Sequence, residues 1–301
     1  MSLLISPNIR DLIIRILLSS TGKEHRVLSE ISIGGGSINK AYKVQTDKGV
    51  FFVKVNDAKK FPGMFEAEAK GLEILRKKNK IYVPAVIGTG EEGNETVFVS
   101  EFVESGKRSK HFFHEFGQAL AKLHACGQVL RPDHTFGLDH DNYIGSLKQF
   151  NAPKNTWSEF FSEMRLEVQV KLARDKGALD REHIRSFENL YLRLDEIFPD
   201  EDPSLLHGDL WSGNFMTGPD GKACIFDPAV YYGHREMDIA MSKLFGGFDR
   251  EFYEGYDSVH PPEKGWEKRI EICNLYPLLV HVNLFGGGYV NDVSRIILKF
   301  R

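Results

Sequence analysis

Leu205-Leu206-His207-Gly208-Asp209-Leu210-Trp211-Ser212-Gly213-Asn214 is the stretch on which the reading of this chain turns. An aspartate followed five residues later by an asparagine has the spacing of a phosphoryl-transfer loop. In such a loop the acid takes the proton of an attacking hydroxyl, and the amide oxygen holds Mg²⁺. Phe215 to Thr217, the turn Gly218-Pro219-Asp220-Gly221 and Ala223 to Asp227 then predict a hairpin that folds Asp227 back beside Asn214. Two oxygen ligands on adjacent strands suit the hard cation that bridges ATP phosphates. Asp209 is thus the expected base, and Asn214 and Asp227 the expected metal ligands. Turn capping explains one Asp or Asn easily. It does not explain an acid, an amide and a second acid delivered through apolar strands.

Working back toward the N-terminus, Gly34-Gly35-Gly36-Ser37 separates two predicted strands, where bare backbone N–H groups can approach phosphates. Lys54 lies in the next strand among Phe52, Val53 and Val55, where a lysine is expensive unless paired. The helix predicted over Met64 to Lys78 offers the partner. Glu66 and Glu73 sit four residues before Lys70 and Lys77 on a solvated face, whereas Glu68 shares a face with Phe65, Leu72 and Leu75. Glu68 is therefore preferred over Glu66 as the acid that orients Lys54. Glu101, Phe102 and Val103 close the last strand of this region, and their backbone is expected to hydrogen-bond adenine. No G-x-x-x-x-G-K-[ST] run occurs, which disfavours a P-loop nucleotidase. Gly286-Gly287-Gly288 follows a helix and reads as its stop.

The wider pattern is a β-rich first third, with strands at Glu30–Ile33, Ala41–Thr46, Val50–Val55, Val83–Gly90 and Thr96–Phe102, followed by helices from about residue 108. Helical stripes recur at Phe113 onward, Trp157 to Arg174 and Arg181 to Ile197. The expected class is α+β and two-lobed. Residues 1–104 form a small antiparallel, nucleotide-binding lobe with an N-terminal helix, and 105–301 a larger helical lobe that carries the catalytic loop, metal ligands and acceptor site. Ile9, Leu12, Ile13, Ile16 and Leu17 give the N-terminal helix one apolar face, so it reads as packed on the body rather than as an export signal. The apolar stretch Leu275 to Phe285 is interrupted by Pro277, His281 and Asn283 and is too short to span a bilayer. With 301 residues, a net charge of −3 and three scattered cysteines, the chain reads as a cytoplasmic protein with reduced thiols. Neither a nucleic-acid partner nor a membrane is expected, and a monomer or weak homodimer is.

These residues resemble the fructosamine/ketosamine 3-kinase family, a branch of the aminoglycoside- and choline-kinase-like group within the protein-kinase-like fold. The resemblance rests on Gly34-Gly35-Gly36-Ser37-Ile38-Asn39, on Phe65-Glu66-Ala67-Glu68 and on the Trp-containing loop His207 to Asn214. Asp227-Pro228-Ala229, Tyr231 to Asp238, Gly265-Trp266-Glu267 and Tyr276 to His281 also match. It implies ATP- and Mg²⁺-dependent phosphorylation of the 3-hydroxyl of a ketosamine, small or protein-linked. The unstable 3-phosphate then releases the amine, a deglycation repair. Some relatives carry cysteines around the glycine loop that link subunits; this segment has none, so that mode of redox control is not expected here.

Trp211, in a polar loop beside the proposed base, reads as a platform for the apolar face of a sugar, with a core aromatic as the bland alternative. His234 is left open between acceptor pocket and support. Asp238 is read as a support of the catalytic loop, and His124 as a satisfied core histidine. Two other functions stay in view: a kinase for another hydroxylated amine, such as an aminoglycoside or choline, and a catalytically inactive nucleotide-binding scaffold. Retention of Lys54, Glu68, Asp209, Asn214 and Asp227 counts against the scaffold.

Overall fold

The computed structural model describes residues 4–34, 38–130 and 134–301. Contacts divide the chain into two compact units, Met1–Ser109 with Met216–Asp227, and Lys110–Phe215 with Pro228–Arg301. The first unit thus recruits a segment that lies within 105–301, the range read as a single lobe from sequence.

The first unit is built on one antiparallel five-stranded sheet, ordered β1-β2-β3-β5-β4. Its strands are β1 (Val27–Ile33), β2 (Lys40–Thr46), β3 (Gly49–Asp57), β4 (Val86–Glu92) and β5 (Glu95–Glu101). Helix α1 (Pro7–Thr21) begins on a proline at a position whose N–H has no helical partner anyway. It ends on Gly22, whose left-handed φ of 67° lets its N–H reach the Leu18 carbonyl. The apolar stripe of α1 is buried with Val44, Val53, Val97 and Val99 of the sheet. Gly88 makes room for this packing, because a Cβ there would lie 2.9 Å from Ile16 Cγ2.

Alternation along β3 sends Lys54 to the face opposite Val53 and Val55. Phe98 is its cross-strand partner. Helix α2 (Met64–Lys78) buries Phe65, Leu72 and Leu75, and the Phe65 ring meets that of Phe98 at 5.9 Å. The hairpin segment belongs to this unit through backbone bonds. Ile225 N–H donates to the Tyr82 carbonyl, Gly106 N–H to that of Thr217 and Ser109 N–H to that of Gly221.

In the second unit, α3 (Phe112–Leu130) crosses the Arg250–Asp257 helix at close range. A Cβ on Gly117 would lie 1.9 Å from the Phe252 carbonyl oxygen, so only glycine permits the crossing. The Trp266–Phe285 helix is buried over most of its length, including Pro277. Sequence periodicity predicts one helix over Trp157 to Arg174. The chain there runs α-helical, then π-helical from Phe160 to Glu167, then α-helical to Asp175. The stretch Arg181 to Ile197 is two helices, Arg181–Tyr191 and Leu194–Ile197, rather than one. Among the described residues no helix is long and apolar enough to cross a membrane.

Three short strand pairs complete the fold: β6 (Asn142–Ile144) with β7 (Leu147–Gln149), β8 (Ser204–Leu206) with β11 (Tyr231–Gly233), and β9 (Phe215–Thr217) with β10 (Ala223–Ile225). The β8–β11 pair sets the segment from His207 to Asn214 in place, because His207 follows β8 directly.

Candidate active site

In the second unit, β8 runs into a loop tied down by main-chain bonds. Leu205 and Leu206 pair with Tyr232 and Tyr231, and the Ala229 N–H donates to the His207 carbonyl at 2.9 Å. Gly208 has φ of 81°, and a Cβ there would lie 2.0 Å from the Ala229 carbonyl oxygen. The turn into Asp209 therefore demands glycine. Asp238, in the first turn of the Glu236–Leu244 helix, accepts the His207 N–H at 2.7 Å and the Gly208 N–H at 2.9 Å. Its carboxylate also meets His124 Nε2 at 3.2 Å, while His124 Nδ1 lies 2.7 Å from the Tyr256 hydroxyl. Burial pushes the Asp238 carboxyl up, but His124 and the loop N–H groups outweigh it and hold it below the usual range. An anionic acceptor thus fixes the loop from below.

Within the loop, Asn214 Nδ2 donates to Asp209 at both the main-chain carbonyl and Oδ2, each at 2.9 Å. Asn214 is buried, and its amide nitrogen is committed to Asp209. The amide oxygen is therefore turned to the other side. Trp211 stays 36% exposed, and its N–H donates to the Asp209 carbonyl.

In the first unit, Lys54 Nζ donates to Glu68 Oε1 at 2.8 Å and to Asp227 Oδ1 at 2.6 Å. Glu68 is thus the α2 carboxylate that meets Lys54. Burial opposes the lysine's charge, yet Asp227 and Glu68 together overcome it and hold Lys54 firmly protonated. Burial pushes the Glu68 carboxyl up against the pull of Lys54. Asp227 occupies the left-handed region, with φ of 54°, a conformation that costs a non-glycine residue free energy and gathers at functional sites. Its side chain is 44% exposed.

Glu101 ends β5. Its carboxylate accepts the Tyr82 hydroxyl and the Ala85 N–H, and its own N–H donates to the Ala85 carbonyl. Phe102 lies under Lys43, whose Nζ sits 4.2 Å from the ring centroid. Val103 follows it. Gly34 is exposed at the end of β1 with open space about it, and Gly35, Gly36 and Ser37 lie outside the described residues.

The sequence leaves His234 open between acceptor pocket and support. It is 1% exposed, packed against Trp157 and Phe198, and held near a pKa of about 4 by burial. Its Nδ1 accepts the Glu236 N–H. The anchoring of the loop through His124 and Tyr256 was not legible, because it joins residues 132 positions apart.

A family model described as Fructosamine kinase matches residues 9–300. The chain is 40% identical over 278 residues to a Vibrio parahaemolyticus protein named as a probable ketoamine kinase, covering 92% of this chain and 93% of that one. It is 40% identical over 287 residues to the chloroplastic protein-ribulosamine 3-kinase of Arabidopsis thaliana, covering 94% and 86%. A crystal structure named for fructosamine-3-kinase from Haemophilus somnus superposes with a TM-score of 0.86 at 31% identity, over 96% of both chains. An aminoglycoside phosphotransferase structure, 15% identical with a TM-score of 0.63 over 96% and 97% of the two chains, shares the fold alone. The fold is α+β and of the protein-kinase-like kind.

Proposed function

The chain belongs to the fructosamine kinase family, and from that premise we propose that it transfers the γ-phosphoryl group of ATP to the 3-hydroxyl of a ketosamine. The protein is an ATP-dependent phosphotransferase acting on ketoamines, in the manner its relatives' names describe. Asp209 accepts the proton of the acceptor hydroxyl as that oxygen attacks. Lys54, oriented by Glu68, neutralises phosphate charge, and the glycine segment Gly34 to Ser37 approaches the phosphates. The backbone of Glu101 to Val103 receives adenine, and Trp211 offers its face to the sugar.

The donor set fits Mg²⁺. Asp227 supplies a partly exposed carboxylate, and Asn214 supplies an amide oxygen turned away from Asp209, both hard oxygen ligands. When bound, the ion offsets charge on the transferring phosphoryl group.

The observation that carries the proposal is the clamp of the Asn214 amide on the Asp209 carboxylate. It holds a base and a cation ligand in one rigid loop, which a nucleotide-binding scaffold has no use for. The test is ATP consumption with Mg²⁺ against ribulosyl- and fructosyl-amines, choline and an aminoglycoside, with Asp209→Asn as control. Turnover of the ketoamines, reduced about 10²–10⁴-fold in Asp209→Asn, is the expected result. Turnover confined to choline or the aminoglycoside, or wild-type rates in the variant, sinks the proposal.

A further inference from the structure

The second unit holds a guanidinium out of reach of solvent. Arg165 is 0% exposed and lies in the π-helical stretch Phe160–Glu167, a geometry that gathers at functional sites. A buried charge is expensive unless it is paired, yet the oxygens that Arg165 bonds are neutral. Nη1 donates to the carbonyls of Phe150 at 2.6 Å and Met164 at 3.1 Å, and Nη2 to Asn151 Oδ1 at 2.7 Å. Among the described residues its Nε meets no acceptor. The guanidinium carbon lies 4.0 Å from the ring centroid of Tyr231, 4.5 Å from that of Phe160 and 5.4 Å from that of Tyr276. The negative faces of these rings offset part of the cost.

From Arg165 a chain of buried amides runs toward the catalytic loop. Asn142 and Gln149 face each other across the β6–β7 pair. Asn151 Nδ2 donates to Asn142 Oδ1 at 3.0 Å, and Gln149 Nε2 donates to the same oxygen at 2.7 Å. Asn142 Nδ2 then donates to the Val230 carbonyl at 2.8 Å, and Gln149 Nε2 to the Ala229 carbonyl at 3.0 Å. The Tyr276 hydroxyl donates to Gln149 Oε1 at 2.7 Å, and burial pushes that hydroxyl up, which keeps it a donor. The direction is fixed at both ends, because a guanidinium only donates and a main-chain carbonyl only accepts. Turning over any one amide sets donor against donor or acceptor against acceptor. The end point is the loop itself. Ala229 donates its N–H to His207, and its carbonyl is the group against which Gly208 turns.

We propose that Arg165 is a positioning residue for phosphoryl transfer. Through Asn151, Asn142 and Gln149 it fixes the Ala229–Val230 segment, and with it the turn that aims Asp209. The proposal rests on the ketoamine kinase reading and adds to it a residue that works from behind the loop. A buried amide network is rigid only when every member is satisfied in one sense. Arg165 supplies that sense, since it has donors and no acceptor. Its charge strengthens the first bond of the chain, because hydrogen bonds from an ionised donor are shorter and about twice as strong as neutral ones.

The test is a double-variant cycle on kcat with a ribulosyl-amine as acceptor. Arg165→Met keeps an apolar chain against the rings and removes the donors, and Gln149→Leu removes the donor to Ala229. Each is expected to lower kcat about 10- to 100-fold, the scale of a misaimed catalytic group. KM for ATP and for the ribulosyl-amine is expected to stay within about twofold. The double variant is expected to match the slower single variant within about twofold, because both act along one chain. Amide exchange of His207–Asn214, read by mass spectrometry on the free protein, is expected to quicken in all three while that of Arg181–Tyr191 holds. If Arg165→Met does not fold, Arg165→Lys takes its place with the same kcat loss expected, because one ammonium does not reproduce the guanidinium fork. A lower unfolding temperature with kcat retained marks a purely structural role and overturns the inference. Losses that fall on KM, additive losses in the double variant, or unchanged exchange in His207–Asn214 overturn it equally. Wild-type inactivity on ribulosyl- and fructosyl-amines alike overturns the kinase reading and the inference with it.

Discussion

Lys54 donates to Asp227 at 2.6 Å although 173 positions separate them in the chain. The contact is possible because the β9–β10 hairpin is bound into the first unit beside Tyr82. Lys54 also balances buried Glu68, so its removal strands a carboxylate in a dry site. Lys54→Ala is expected to cost about 3 kcal/mol in urea unfolding, the low end for breaking a buried pair. It is also expected to slow ATP consumption about 10²–10³-fold, the range for losing a fixed electrostatic contact. A variant as stable and as active as the wild type would show that the triad is ornamental.

Asp227→Asn isolates charge from backbone geometry. Asparagine tolerates the left-handed φ of 54° that alanine resists, so the turn is retained while a hard ligand is lost. Nucleotide titration is expected to show the Mg²⁺-dependent part of binding abolished and the metal-independent part kept. Equal Mg²⁺ dependence in both proteins removes Asp227 from the metal.

Asp238 is expected to act only through the loop. Asp238→Ala leaves the His207 and Gly208 N–H groups buried without their acceptor, a cost of about 1–3 kcal/mol for each. Turnover should fall while ATP affinity holds. The carboxyl is depressed in the folded state, so its contribution is complete above the ordinary value of 3.8 and lost as pH falls through the lower folded value. Acid unfolding followed by circular dichroism should therefore be flatter below pH 3.8 in Asp238→Asn than in the wild type. Parallel curves contradict the assignment.

His234 titrates in the opposite sense. The folded chain holds it neutral, with a pKa of about 4 against an ordinary 6.5. Between those values the unfolded chain binds the proton and the folded chain does not, so stability declines as pH drops from 6.5 to 4. The decline attributable to this ring is on the order of 3 kcal/mol. His234→Phe should remove that component in urea melts across the window. A wild-type slope that survives the substitution assigns the pH dependence elsewhere.

Much of the candidate site was legible because it is local. Asp209 and Asn214 share one loop, their spacing is set by the chemistry, and the hairpin after them is written in Gly218-Pro219-Asp220-Gly221. Glu68 could be chosen over Glu66 because helical periodicity places it on the apolar face, where a carboxylate is costly without a cation. The need for glycine at position 208 is not legible in the sequence: it arises from the Ala229 carbonyl, a neighbour across a strand pair. The β8–β11 pair is not legible in the sequence, because three-residue strands carry too little alternation to read.

The sequence by itself determined the α+β class and the strand and helix order of the first third, and it singled out the acid, the amide and the lysine proposed for the site, because each follows from periodicity or short spacing. Tertiary structure alone decided that His124 and Tyr256 stand behind Asp238 in one line of support beneath the loop, and that His234 is enclosed while Phe285 is open. Those outcomes depend on which elements pack together, and burial, the quantity that sets a group's charge and reach, is a property of the packed chain rather than of any residue along it.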